Sequence, residues 1–365
     1  MISQTEGADS EAPGRAIVIG IGLIGGSIAL GLRRQGWHVS GIDIDPTTLT
    51  EAIALGVLDG IGDDPDATLA LVCVPAAQVG EVVKGLLASH PSADFLVSDV
   101  AGVKSSIVDA IEDPRFIGGH PMAGSEQLGV SGAQVDLFLG ATWVLTPSAS
   151  TSPDQFSRLV SIIRSLGAQV LSLSGADHDR LVALVSHLPH LVAASLMNEA
   201  SAASESDAAL LQLAAGGFRD MTRVAAGDPG IWPDVCIENK AAIIEGLDEL
   251  RGRLDLLRTA IASSDASSIH SILDRASVAR RSLPGRATDP KQLAQVRIPV
   301  PDRPGVIAEV TATASDLGVS LYDVEIAHSV EGDRGVLIVV VGIDEGPSYV
   351  EALRSRGFQC SVSVL

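Results

Sequence analysis

Residues Ala16 to Asp45 read AIVIGIGLIGGSIALGLRRQGWHVSGIDID. A β-branched apolar run, Ile17 to Ile19, breaks at Gly20 and passes into a helical pattern without a polar loop. Gly20, Gly22 and Gly25 keep the G-x-G-x-x-G spacing. The first permits a tight turn, the second lets backbone approach a pyrophosphate, and the third lets the helix sit close on its strand. A diphosphate would then meet unpaired N–H groups at a helix N-terminus, around Leu23 and Ile24. A second strand, His38 to Ile42, ends at Asp43. A carboxylate there accepts hydrogen bonds from both ribose hydroxyls and repels a 2′-phosphate, so the pattern predicts NAD over NADP. Strand, glycines, helix, strand and acid in this order predict a Rossmann-type dinucleotide-binding domain.

Outward from that stretch, short apolar runs alternate with helix-like segments as far as Ala176, the pattern of a parallel sheet. The expected strands are AIVIG, HVSGID, LALVCVP, FLVSDV, RFIGGH, TWVLTP and QVLSL. Val74 and Pro75, closing LALVCVP, belong at the carboxyl edge of the sheet, where Rossmann ligands bind. The predicted NAD-binding domain spans 16–176. Over 177–281 the strand signal gives way to long Ala/Leu-rich helical segments with broad apolar faces. These predict an all-α substrate domain whose helices pair two copies into a homodimer. SLPGRATDP, 282–290, carries two prolines and a glycine without periodicity and reads as a linker. Residues 291–365 then follow a βαββαβ order, a ferredoxin-like α+β unit.

The chain has 365 residues, 46% hydrophobic and 19% charged, with 45 acidic against 25 basic residues and a formal charge of −20. Such a surface repels nucleic acid and anionic membranes, so neither is an expected partner. An anionic substrate needs its own local positive pocket. Cys73, Cys236 and Cys360 lie far apart without a C-x-x-C pair, which suits reduced thiols in the cytoplasm. Residues 1–15 read as a disordered tail, the first thirteen polar and acidic and unlike a signal peptide. The longest apolar run, Ala16 to Leu30, is too short and glycine-rich to span a membrane.

Four further constellations carry chemistry. In Gly118-Gly119-His120-Pro121-Met122-Ala123-Gly124, a histidine follows a strand at the sheet edge, facing the space a nicotinamide would take. Imidazole is the side chain best suited to accept a proton near neutral pH. In Ser186-His187-Leu188-Pro189-His190, two histidines three apart share a helix face, and Pro189 frees a backbone carbonyl. No third ligand lies at metal-site spacing, so no metal is expected. In GGFRDMTR, Arg219 and Arg223 stand four apart on one face, a carboxylate clamp in an acidic protein or a salt-bridge network with Asp220. Asp228-Pro229-Gly230-Ile231-Trp232 is a turn that delivers a tryptophan to a cleft wall or a core.

The NAD fingerprint, HPMAG, SHLPH, GGFRDMTR and DPxxW, in this order over Ala16 to Ser282, resemble the prephenate (cyclohexadienyl) dehydrogenase family. The stretch Val300 to Val310, V-x-D-R-P-G-V-I-A-E-V, resembles an ACT domain. The resemblance implies NAD-dependent oxidative decarboxylation of prephenate to 4-hydroxyphenylpyruvate, the oxidative step to tyrosine. His120 then matches the catalytic histidine at the ring 4-hydroxyl, His190 the histidine near the pyruvyl side chain, and Arg223 the arginine that holds a substrate carboxylate. His187 and Arg219 match supporting site residues, and Trp232 a residue at the cleft entrance. By the same resemblance, hydride leaves the ring carbon bearing the hydroxyl, His120 accepts the hydroxyl proton, and carbon dioxide departs from the opposite carbon.

One position departs from the family. Its D-x-x-S-x-K pattern here reads Asp99-Val100-Ala101-Gly102-Val103-Lys104, so the expected hydroxyl beside the histidine is missing at Gly102. Ser105, Ser106 or a water are the candidate substitutes. Arogenate carries an ammonium where prephenate has a ketone. The neutral Ser125 after HPMAG favours prephenate, and an inward Glu126 would favour arogenate. In the C-terminal unit, Asp302, Pro304 and Gly305 precede a helix whose N–H groups suit an amino-acid carboxylate, with tyrosine the natural effector. Two rivals remain. A β-hydroxyacid-type dehydrogenase would rely on a helical-domain lysine, here Lys240. A non-catalytic NAD- and amino-acid-sensing regulator would need a partner surface.

Overall fold

The computed structural model describes residues 14–124, 127, 129–205, 210–227, 229–282, 293–301, 303–328 and 334–364. The expected tail up to residue 13, most of the linker (283–290), and Ser125, Glu126, Asp228 and Asp302 lie outside the described residues. The chain divides into two units. The first holds residues up to Val192 together with Ala226–Asp248; the second holds Ala193–Ala225 and Glu249 onward.

The first unit is built on eight strands: β1 (Arg15–Ile19), β2 (His38–Ile42), β3 (Gly60–Ile61), β4 (Leu69–Val72), β5 (Leu96–Asp99), β6 (Phe116–Pro121), β7 (Thr142–Thr146) and β8 (Gln169–Ser172). Their spatial order is β3-β2-β1-β4-β5-β6-β7-β8. Every expected strand is present, and the two-residue β3 joins them. Arg15 corrects the expected tail boundary: it opens β1, and its guanidinium pairs with Asp64 at 2.8 Å.

Side chains alternate across the sheet as its pleat requires. Ala16 and Val18 of β1 face one buried cluster with Ile28 and Leu32 of α1 (Leu23–Arg34). Ile17 and Ile19 face the other, with Val79 and Val83 of the helix Ala76–Ser89. Both faces are covered, which is why the strands read as continuous apolar runs rather than alternating ones.

The sheet is not wholly parallel. β6 and β7 pair antiparallel, with His120 opposite Val144 and Pro121 opposite Trp143. Their connection contains a short 3-10 turn, Val130–Gly132, in place of a crossover helix. Antiparallel neighbours need no such crossover, and a short apolar run does not encode its own direction.

After β8 come α2 (Gly175–Val182), a single π turn (Ala183–His187) and α3 (Leu188–Ser204). Pro189 cannot donate to the carbonyl of Val185, and its ring crowds the preceding turn, so the helix widens just before it. By length and composition Gly175–Ser204 could cross a membrane, a possibility the sequence reading did not raise. Its first half instead buries His178, Asp179 and His187 in polar contacts within the first unit.

In the second unit, β9 (Leu293–Pro301), β10 (Asp323–His328), β11 (Arg334–Gly342) and β12 (Ser361–Val364) form an antiparallel sheet in the order β10-β11-β9-β12. Val296, Ile298 and Val300 of β9 pack under Val306 and Val310 of the helix Val306–Leu317. Tyr349, from the helix Gly346–Ser355, is fully buried and donates its hydroxyl to the Val310 carbonyl at 2.9 Å. The expected βαββαβ order is the observed one.

Candidate active site

The glycine loop is shaped for a dinucleotide. Gly20 has φ +88°, and a Cβ there would stand 2.3 Å from the Cys73 carbonyl oxygen. A Cβ on Gly25 would stand 2.0 Å from the Gly20 oxygen, so α1 packs directly on the turn. Gly22, by contrast, has nothing within 4 Å of its Cβ position and caps α1 without a side-chain bond. The amides that follow, at Leu23 and Ile24, open the helix as expected.

Asp43 stands at the end of β2 and accepts the Ile21 N–H at 2.7 Å and the Asp45 N–H at 2.9 Å. A cleft of about 630 Å³ is lined by Gly20, Gly22, Asp43, Ile44, Val74 and Pro75, among others. Ile44, which the sequence reading passed over, is 99% exposed beside that carboxylate, an apolar surface at the cleft mouth. Open space at Gly22, a fixed acid and an apolar wall fit a dinucleotide.

His120 sits on β6 itself, one residue before its end, within the expected strand RFIGGH. Its Nδ1 lies 2.8 Å from Nε2 of His178, and the rings meet edge-on at 5.0 Å. His178 is fully buried, and its Nδ1 lies 2.7 Å from Oδ1 of Asp179. Asp179 also accepts the N–H groups of Lys104 and Ser105, each at 2.8 Å. Burial raises the Asp179 pKa, but its bonds to His178 and to the Ser105 and Lys104 amides outweigh this and hold it below the usual carboxylate range.

That meeting follows from local sequence. Ser174 caps α2 by accepting the Asp177 N–H at 3.1 Å. A Cβ on Gly175 would lie 3.1 Å from the Ser105 Cα, so the capped turn approaches that backbone closely.

Beneath His120, Lys104 and Asp99 form an ion pair with both side chains fully buried. Asp99 further accepts the Ala101 N–H at 2.9 Å and the Gly119 N–H at 3.0 Å, tying β5 to the residue before His120. Burial lowers the Lys104 pKa, opposed by Asp99. Burial first, then the nearby His178, Lys104 and His187, press the His120 pKa well below its ordinary 6.5. A neutral imidazole is a proton acceptor.

The second pair of histidines converges on Trp232, which opens the helix Trp232–Glu238 after a 3-10 turn. His190 stacks on the indole at 3.6 Å, and His187 meets it edge-on at 6.2 Å. Asn239 donates its amide to the Asp179 carbonyl at 2.8 Å and lies 3.2 Å from His187 Nδ1. Burial drives His187 down to about 4 and lowers His190 as well. His120, His187, His190 and Trp232 thus belong to one unit, with the first two linked through Asp179 and Asn239.

Of the two serines offered as substitutes for the Gly102 hydroxyl, Ser106 is engaged elsewhere and Ser105 is tied through its backbone. Ser106 donates to Glu238 at 2.8 Å, and the Ser105 amide donates to Asp179 at 2.8 Å. Among the described residues no group of three metal-ligating side chains occurs.

Arg219 and Arg223 lie in the second unit. Arg219, on the helix Gly216–Thr222, donates to the Ala214 carbonyl at 3.0 Å, and Arg223 begins the 3-10 turn that tightens that helix end. In the C-terminal unit Gly305, φ +88°, caps the helix at Val306, while Arg303 pairs with Glu309 at 2.7 Å. The sequence reading missed His178, Asp179 and Asn239. The weak signals for them were an acid beside a histidine at a capped helix start, and a polar break in E-N-K.

Comparison with known proteins agrees with the geometry. Residues 28–172 match the family model described as prephenate dehydrogenase, nucleotide-binding domain, and residues 174–275 the prephenate dehydrogenase, dimerization domain. The chain is 32% identical to the prephenate dehydrogenase of Bacillus subtilis over 94% of each chain. It is 34% identical to the cyclohexadienyl dehydrogenase of Zymomonas mobilis, over 68% of this chain and 88% of the relative. Among solved structures, Aquifex aeolicus prephenate dehydrogenase in complex with hydroxyphenyl propionate and NAD+ aligns with a TM-score of 0.71 and 29% identity, covering 76% of this chain and all of that one. Synechocystis arogenate dehydrogenase aligns with a TM-score of 0.66 and 33% identity, over 74% of this chain and all of that one.

Proposed function

This chain belongs to the prephenate dehydrogenase family, and we propose that it oxidises and decarboxylates prephenate to 4-hydroxyphenylpyruvate with NAD in tyrosine biosynthesis. The observation that carries the reading is His120, held neutral on the last strand turn of β6 with one ring nitrogen already bonded. NAD, when bound, supplies the hydride acceptor. Gly20, Gly22, Gly25 and the Leu23 and Ile24 amides would hold its diphosphate, Asp43 its ribose, and Val74 and Pro75 the cleft wall.

As the ring carbon loses hydride, its hydroxyl becomes acidic, and His120 takes that proton through Nε2. The proton stays on His120 while carbon dioxide leaves the opposite ring carbon and the ring becomes aromatic, then returns from Nε2 to the phenolate oxygen to give the phenol. His190 and Trp232 would flank the pyruvyl side chain, with His187 in support. Arg223 would hold a carboxylate, with Arg219 beside it. Ser125 would line the side-chain pocket, and its neutrality supports prephenate over arogenate.

The domain plan that goes with this reading is a nucleotide domain at 16–176, a helical domain at 177–281 that pairs two copies, and a regulatory unit at 291–365. The βαββαβ topology and the reach of the Bacillus subtilis alignment beyond residue 275 support an ACT-type unit that belongs to the enzyme. Tyrosine would bind at Asp302, Pro304 and Gly305. Three unpaired cysteines suit a cytoplasmic enzyme.

The test is NADH formation with prephenate or arogenate, with and without tyrosine, in the full chain and in a chain ending at residue 290. Turnover of prephenate, with tyrosine inhibition confined to the full chain, is expected. Turnover of arogenate alone would transfer the reading to that substrate, and turnover of neither would leave a non-catalytic sensor.

A further inference from the structure

Three side chains stand in line: His120 Nδ1 to His178 Nε2 at 2.8 Å, then His178 Nδ1 to Asp179 Oδ1 at 2.7 Å. Asp179 is an acceptor on both oxygens, since Oδ1 takes the Lys104 N–H and Oδ2 the Ser105 N–H. His178 Nδ1 must therefore carry the hydrogen in the His178–Asp179 bond. A neutral His178 then has only a lone pair at Nε2, and the hydrogen between the two rings belongs to His120 Nδ1. The remaining nitrogen of His120, Nε2, is left bare.

Among the described residues, no hydrogen bond reaches the far side of His120. The Cβ position of Gly102 stands 3.8 Å from both Nε2 and Cε1, and the Ser106 hydroxyl is engaged with Glu238. The orientation of the ring is thus set from Nδ1.

We propose that His178 is a positioning residue, anchored by Asp179, that fixes His120 as its Nδ1–H tautomer and aims Nε2 at the reacting hydroxyl. The proposal rests on the reading of His120 as proton acceptor. When the substrate hydroxyl proton moves to Nε2, His120 becomes an imidazolium that still donates Nδ1–H to His178. His178 keeps its own proton, and the Asp179 carboxylate faces the new charge through one intervening ring. No proton leaves the line during the step. The role matches that of the carboxylate in a serine hydrolase triad, with an imidazole interposed.

The direct measurement is the long-range 1H–15N spectrum of 15N-histidine-labelled enzyme, with signals assigned by their loss in His120→Asn and His178→Gln. A protonated Nδ1 and bare Nε2 on His120 at neutral pH are expected. Nε2–H on His120, or two protonated nitrogens on His178, would overturn the proposal whatever the activity of the enzyme.

Kinetics give the second arm. His178→Leu should lower kcat by roughly 100-fold with both KM values changed less than about threefold, as for a misaligned base. His178→Gln, which can accept at one end and donate at the other, should recover at least about tenfold of that loss. A glutamine variant no better than leucine would overturn the positioning role. His120→Ala with nearly full kcat would instead sink the catalytic reading, leaving the tautomer as a structural fact.

Discussion

The Cβ position of Gly102 lies 3.8 Å from Nε2 of His120, and among the described residues no closer atom crowds it. A side chain there reaches the one imidazole nitrogen that is not already bonded. Gly102→Ser therefore restores a hydroxyl beside the base without steric cost, and the stability change should stay within about 1 kcal/mol. We expect kcat/KM for prephenate to rise by roughly two- to tenfold, since the hydroxyl adds a hydrogen bond that steadies the reacting oxygen. Steady-state kinetics of the folded variant check this, and a fall of tenfold or more would show that this space is needed open.

His120 acts only when neutral, and its pKa lies well below 6.5. The acid limb of kcat/KM should accordingly fall below the ordinary histidine range, with activity retained as pH drops through 6.5. Stability follows a different curve. His187 titrates at about 4 in the fold but near its ordinary value when unfolded, so the unfolded chain binds the extra proton first. By linkage, stability present above pH 6.5 is lost as pH falls from there toward 4. Thermal unfolding across that window should show the loss, and His187→Asn should lessen it, with His120 and His190 still contributing.

Legibility in the sequence tracked the distance over which each feature is encoded. Gly20, Gly22 and Gly25 act within one turn, and their separate tasks could be assigned from spacing alone. The HPMAG histidine was visible for the same reason. His178 and Asp179 were not, because their meaning lies in a contact with a residue 58 positions earlier. Nothing local marks a histidine at an ordinary capped helix start as the partner of another. The antiparallel pairing of β6 and β7 was hidden as well, since a short apolar run such as TWVLTP reads the same in either direction. Arg219 and Arg223 show the opposite limit: their helix was legible, but not what they hold.

Lys104 and Asp99 are both fully buried, and Asp99 fastens the Gly119 amide. Removing the cation leaves a carboxylate in a dry interior with only amide donors. Lys104→Met should therefore cost roughly 3–5 kcal/mol in urea unfolding, the range for breaking a buried pair. Replacing both partners, as in Lys104→Met with Asp99→Leu, should recover part of that loss but leave Gly119 without its anchor. We expect kcat of the double variant to stay low even where stability returns. Full kcat in a stable double variant would separate the ion pair from the placement of His120.

Asp43 is held by two amides, one of them from Ile21 inside the glycine loop. The carboxylate therefore has a fixed position before any cofactor arrives. A ribose with two free hydroxyls can donate to it, whereas a 2′-phosphate brings like charge against it in a partly enclosed cleft. Asp43→Ser removes both effects and keeps a small hydrogen-bonding group. We expect KM for NAD to rise by about tenfold or more, and the preference over NADP to shrink by roughly 100-fold, with kcat for prephenate nearly unchanged. Comparison of kcat/KM for the two cofactors measures this directly. If the preference survived in Asp43→Ser, discrimination would have to come from elsewhere in the cleft, such as the exposed Ile44 beside it.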